Sequence, residues 1–198
     1  VKDWEGTETW VHKAMLSGRR FVKVINPGEN NVYAKADNNL YIYKEDFKTE
    51  VAITTDENTE IFNGIADWLY EEEFGITCLF AFSPDSKQVA FVRLNETGVP
   101  TFEWQTFLGN KSMLLYPESH SLRYPKAGET NASASVCVYD IHYKTTRSMQ
   151  LPEYMDGYIP RIRWTQLSQP TKKDEQPSSD LMIMHLNRDQ NRMDIVKT

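Results

Sequence analysis

The 198-residue sequence predicts an all-β fold, and three features carry that expectation. Aromatic residues make up 12% of the chain and fall mostly in short apolar runs, which suits a pleated, half-buried surface. Clusters of Asn, Asp, Ser, Pro and Gly separate these runs, as turns between strands require. One segment alone departs clearly from this rhythm.

The elements follow in order. The first twenty residues are ambiguous: Trp10, Val11, Ala14 and Met15 have helical spacing, with Gly18 as a stop, and a strand fits nearly as well. In residues 30–43, Val32, Ala34 and Ala36 alternate with Tyr33 and Lys35, and Leu40 to Tyr43 resumes after Asp37-Asn38-Asn39. That is a hairpin, because Asp and Asn tolerate the positive φ of a tight turn. A second hairpin joins 78–82 to 88–93 through Ser83-Pro84-Asp85-Ser86, with Pro at the second turn position. Residues 136–141 and 161–164 are further strands, and 181–186 pairs with 193–196 across Asn187 to Asn191. Ser168 to Asp180, with two prolines and Lys172-Lys173-Asp174-Glu175, reads as an exposed loop. Loose repetition of antiparallel units without a strict period is the pattern of a partial β-propeller of four-stranded blades; a β-sandwich is the alternative.

Composition narrows the function. A net charge of −6 argues against a general nucleic-acid binder. Cys78 and Cys137 are too few and too far apart for a disulfide-stapled mini-protein or a Cys-rich zinc module, and both sit in apolar runs, which predicts buried free thiols. His12, His120, His142 and His185 lack ligand spacing, so neither a metal nor another cofactor is expected. No apolar run reaches the roughly 18 residues of a membrane helix. The chain opens on Val1-Lys2-Asp3-Trp4, without an initiator Met or an apolar leader, and reads as a piece of something longer. Asn95, Asn110 and Asn131 head N-glycosylation patterns, which chance alone supplies in an Asn-rich chain.

The exceptional segment is Asp67-Trp68-Leu69-Tyr70-Glu71-Glu72-Glu73-Phe74-Gly75. Asp67 is a good N-cap and Gly75 a natural stop, so a helix of about two turns is expected between strands. Glu71, Glu72 and Glu73 all read as close enough to its start to feel the positive end of the helix dipole. Neighbours on a helix lie about 100° apart, so two adjacent carboxylates can converge on one small cation, which a strand would forbid. An ammonium has three donors and suits such a pair. A solvated acidic face, with Trp68 and Tyr70 anchoring the turn to the core, accounts for the same residues.

These residues also carry a family resemblance. Asp67 to Glu73 resembles the D-W-x-Y-E-E-E signature in the propeller of the dipeptidyl peptidase IV family of serine exopeptidases. Ile61-Phe62-Asn63-Gly64-Ile65 resembles that family's I-x-N-G-I, and Phe82-Ser83-Pro84-Asp85 its W-S-P-[DN] turn. Asn95 to Pro100 resembles N-[DE]-T-E-V-P, with Gly98 in place of Glu. Tyr124 to Asn131 resembles Y-P-K-A-G-x-x-N, and Arg188 to Ile195 resembles R-x-Q-N-x-x-M-D-I. The motifs run in matching order over about residues 38–196. Residues 1–30 show no match, and the family's substrate-contacting arginine has no counterpart that can be placed.

The resemblance implies that Glu72 and Glu73 bind the free α-amine of a peptide, with Asp67, Trp68 and Tyr70 supporting the motif. Glu71 is outside the pair. It implies release of a dipeptide after Pro or Ala. No catalytic residue is expected in this chain, because the α/β-hydrolase domain, with its G-x-S-x-G elbow, Asp and His, is absent from it. Residues 1–198 would then be one incomplete propeller region of about three to four blades. Its partners would be peptides with a free N-terminus, its own C-terminal hydrolase domain and a second copy. Its location would be secreted, periplasmic or cell-surface. A non-enzymatic propeller-type interaction module is the competing function, and a family relative with altered cleavage specificity is a third.

Overall fold

A computed structural model describes residues 30–34, 38–44, 48–107, 116–152, 157–168 and 178–198. The expectations for residues 1–20, for Asp37 and for Lys172 to Glu175 lie outside the described residues. The described chain holds antiparallel sheets and one short helix.

β1 (Asn30–Ala34), β2 (Leu40–Lys44) and β3 (Thr49–Ala52) form the first sheet. Ala34 pairs with Leu40, and Asn38 in the turn between them has φ 61°, the conformation its short polar side chain tolerates. The second sheet contains β4 (Ile61–Asn63), β5 (Phe80–Phe82), β6 (Gln88–Asn95), β9 (Ser133–Asp140) and β10 (Thr145–Ser148), in the order β10-β9-β6-β4 with β5 also on β6. β4 pairs with the end of β6 and β5 with its start, so the two are halves of one interrupted edge strand. With that strand counted once, the sheet is a four-stranded antiparallel meander, the form of a propeller blade. The third sheet is β11 (Gly157–Trp164), β12 (Leu181–Asn187) and β13 (Met193–Lys197). β7 (Thr101–Thr106) and β8 (Glu118–Arg123) make a separate two-stranded ribbon between β6 and β9.

Burial explains why the sheets stand side by side. Along β6, Ala90, Val92 and Leu94 join Val136 and Val138 of β9 in a core shared with Ile159, Ile162, Leu181 and Ile183 of the third sheet. The alternate residues Val89, Phe91, Cys137 and Tyr139 join Leu40 and Ile42 of the first sheet. Side chains alternate between faces along a strand, so the central sheet is covered on both. Burial on both faces is what stacked blades require; a sandwich sheet buries one. No closed ring is present among the described residues. Neither cysteine forms a disulfide; Cys137 is buried and Cys78 half-buried.

Candidate functional site

The interruption of the edge strand carries the candidate site. Residues 64–79 leave the sheet and return to it, and three backbone bonds close the neck. Gly64 N–H donates to Val92 O at 2.9 Å, Leu79 N–H to Gly64 O at 2.9 Å, and Val92 N–H to Leu79 O at 2.8 Å. Gly64 has φ 68°, and a Cβ there would meet Leu40 Cδ1 at 3.0 Å, so the neck needs glycine for both reasons.

The excursion carries helix α1 (Trp68–Phe74). The Asp67 carboxylate accepts from Tyr70 N–H at 2.8 Å, which satisfies one orphan donor of the first turn. Gly75 closes the helix at φ 63°, and the N–H groups of Gly75 and Ile76 both point at the Tyr70 carbonyl. Both ends are where the sequence placed them.

Seven residues are too few for a stable free helix, so tertiary contacts must hold this one. Tyr70 is 2% exposed and packs edge-on against Phe74 at 5.3 Å and Tyr158 at 6.3 Å. Its hydroxyl accepts from Ile159 N–H at 2.9 Å, tying α1 to β11. Asn131 Nδ2 donates to the Tyr158 hydroxyl at 2.7 Å. Arg188 donates to the Glu129 carbonyl of the same loop. On the other side Trp68 packs on Tyr124, ring centroids 4.4 Å apart. Tyr124 and Asn131, from a motif far along the sequence, therefore meet the short helix and the Tyr158 ring that holds it.

Removing the Tyr70 hydroxyl tests this lock. Tyr70→Phe keeps the ring and leaves the buried Ile159 N–H without its acceptor. The expected loss is about 1–3 kcal/mol of stability, read as a lowered thermal midpoint with an unchanged circular-dichroism spectrum. An unchanged midpoint would show that the bond holds nothing.

The glutamates occupy distinct places. Glu71 lies in the first turn and is half-buried, whereas Glu72 and Glu73 are exposed. This corrects one expectation from the sequence. In so short a helix, Glu72 and Glu73 fall in the last turn, at the negative end of the dipole, where no basic residue accompanies them. Each is placed against the dipole at a cost of about 0.3–1 kcal/mol. A cation bound there would be favoured by the pair and by the helix end together.

The capping Asp67 has a second buried carboxyl, Glu96, within electrostatic reach. Asp67 is 3% exposed and Glu96 is 7% exposed. Burial raises the pKa of both carboxyls, and for Glu96 the charges of Asp67 and Glu60 add to the effect, taking it to about 8. Arg123 opposes that rise, and it donates to Glu60 and, at 2.7 Å, to the Val99 carbonyl. Sequence reasoning missed Glu96, Arg123, Tyr158 and Ile159. Glu96 and Arg123 did stand within or beside the quoted motifs, the one signal that could have found them. Of the glycosylation patterns, Asn110 lies outside the described residues, and the Asn131 side-chain nitrogen is engaged with Tyr158. Among the described residues no group of three or more His, Cys, Asp or Glu could hold a metal ion.

Stacked antiparallel blades, with a capped acidic helix budding from one edge strand, define a propeller segment that presents carboxylates on a rigid support. Comparison with known proteins gives the family. The family model of the dipeptidyl peptidase IV N-terminal region matches residues 4–198. Probable dipeptidyl-aminopeptidase B of Aspergillus niger is 38% identical over 158 residues, covering 74% of this chain and 18% of that protein. Probable dipeptidyl peptidase 4 of Aspergillus clavatus is 44% identical over 101 residues, covering 50% of this chain and 13% of that protein. The crystal structure of Porphyromonas gingivalis dipeptidyl peptidase 4 superposes with a TM-score of 0.72 at 39% identity, covering 86% of this chain and 22% of that one. The chain belongs to the dipeptidyl peptidase IV family and corresponds to its N-terminal region. It covers between 13% and 22% of the length of these relatives. The match extends to residue 4, so the segment in which the sequence showed no resemblance is also part of the family region.

Proposed function

We propose that this chain is the substrate-gating part of a dipeptidyl peptidase, in which Glu72 and Glu73 hold the free N-terminal ammonium of a peptide. Catalysis belongs to a serine hydrolase domain outside this chain, and cleavage follows Pro or Ala at the second residue. One observation supports the assignment above the rest: two exposed carboxylates sit at the negative end of a helix whose other contacts lock it in place. A solvated acidic face needs no such support. Charge-assisted hydrogen bonds to an ammonium contribute about 1.5–3 kcal/mol each, enough to make the amine the measuring point for a two-residue product. Residues 1–198 form one run of about three to four blades in this reading. Its partners are the hydrolase domain and a second copy, at a secreted, periplasmic or cell-surface location.

The test is a pair of reporters offered to the full-length protein, Gly-Pro with a free amine and its N-acetyl form. The free-amine reporter is expected to be cut and the acetylated one refused. Equal cleavage of both would overturn the reading.

A further inference from the structure

The ribbon β7–β8 leaves the second sheet after β6 and returns before β9. Its root is closed by Tyr124 N–H donating to Pro100 O at 2.9 Å and by Arg123 reaching Val99 and Glu60. Tyr124 is half-buried in that root, and its ring is the one on which Trp68 rests. Phe102 lies 5.9 Å beyond Tyr124, Trp104 stacks 6.2 Å beyond Phe102, and His120 stacks 5.4 Å beyond Trp104. Ring contacts therefore run without a break from the first residue of α1 along the ribbon.

Helix geometry says what that contact controls. Trp68 and Glu72 are four residues apart and share one face of α1, about 40° apart around the axis. Tyr70 and Phe74 fix the opposite side against Tyr158. A short helix held on one side only can roll about that contact, and Trp68 on Tyr124 is the second support. Loss of the second support moves Glu72 more than it moves the core.

We propose that Tyr124, at the root of the β7–β8 ribbon, is a positioning residue for Glu72, so that the ribbon and the amine-binding helix move as one unit. This rests on the amine-anchor reading above. Tyr124 touches no substrate; it acts through Trp68. A group that sets only where the amine is held changes KM and leaves the chemical step alone.

The experiment uses the full-length protein and the free-amine Gly-Pro reporter. Tyr124→Ala is expected to raise KM roughly 3- to 10-fold, the range of one aromatic contact, with kcat within about 2-fold. Tyr124→Phe, which keeps the ring, should restore KM. In the Tyr124→Ala background, Glu72→Gln should cost less than it does alone, because the carboxylate is already misplaced. If Tyr124→Ala fails to fold, Tyr124→Leu fills the space without the ring and should show the same KM rise. An unchanged KM, an equal fall in kcat, full additivity with Glu72→Gln, or failure of Phe to rescue would each overturn the role. If Glu72→Gln alone leaves KM unchanged, the amine anchor fails and this role falls with it. If Glu72→Gln raises KM and Tyr124→Ala does not, only the positioning role fails.

Discussion

Glu72→Gln and Glu73→Gln are each expected to lower kcat/KM on a free-amine dipeptide reporter by about one to two decades. Each substitution removes one negative charge and turns part of an acceptor surface into an N–H donor that opposes the ammonium. Losing a charge-assisted hydrogen bond to the ammonium costs about 1.5–3 kcal/mol, and each decade corresponds to about 1.4 kcal/mol. Glu71→Gln should cost far less. It lies about 200° around the helix from Glu73, in the first turn, and is half-buried rather than exposed. Measured together in the full-length protein, the three variants separate an anchor made of two residues from a general acidic field. Equal losses for all three would favour the field.

A second large effect is expected in stability against pH. The Glu96 carboxyl is displaced from an ordinary 4.5 to about 8, mainly by burial and further by the Asp67 and Glu60 charges, with Arg123 opposing. The folded chain therefore holds a proton that the unfolded chain releases at about pH 4.5. Stability from this group is fully present below that pH and is lost as pH rises through 8. The loss by pH 9 is on the order of 3–5 kcal/mol, at about 1.4 kcal/mol per pKa unit. Glu96→Gln keeps the shape and stays neutral, so its thermal midpoint should fall much less than that of the native protein between pH 6 and pH 9. Parallel falls in both proteins would show that Glu96 ionises without strain. Glu96 is within electrostatic reach of Asp67, which caps the helix that carries the glutamate pair.

Local chemistry was legible from the sequence and long-range chemistry was not. Asp67 and Gly75 declared the helix because a cap and a left-handed stop are properties of single residues. β2, β5, β6, β12 and β13 declared themselves through apolar runs beside turn residues. The ribbon did not, because five of the six residues of β7 are exposed and none marks a core face. β10 reads Thr-Thr-Arg-Ser and is exposed throughout, so it has no apolar pattern to detect. β11 was foreseen only from Arg161, since Pro160 argues against a strand. The pairing of β11 with β12 is irregular between Tyr158 and Arg161, the kind of place where a strand tolerates proline. That missed stretch contains Tyr158 and Ile159, which hold Tyr70. Arg123 meets Glu60 across 63 positions, a contact no local pattern announces. The role proposed for Glu72 and Glu73 came only through resemblance, because three consecutive glutamates alone fit a solvated face equally well.

The most direct test of the amine anchor is a thermodynamic cycle between the substrate amine and the glutamate pair. Full-length protein and its Glu72→Gln/Glu73→Gln variant are each assayed with a free-amine dipeptide reporter and with the des-amino analogue of the same shape. The native protein is expected to prefer the amine by at least two decades in kcat/KM, and the variant to show no preference. A variant that still prefers the amine by the native ratio would contradict the amine anchor.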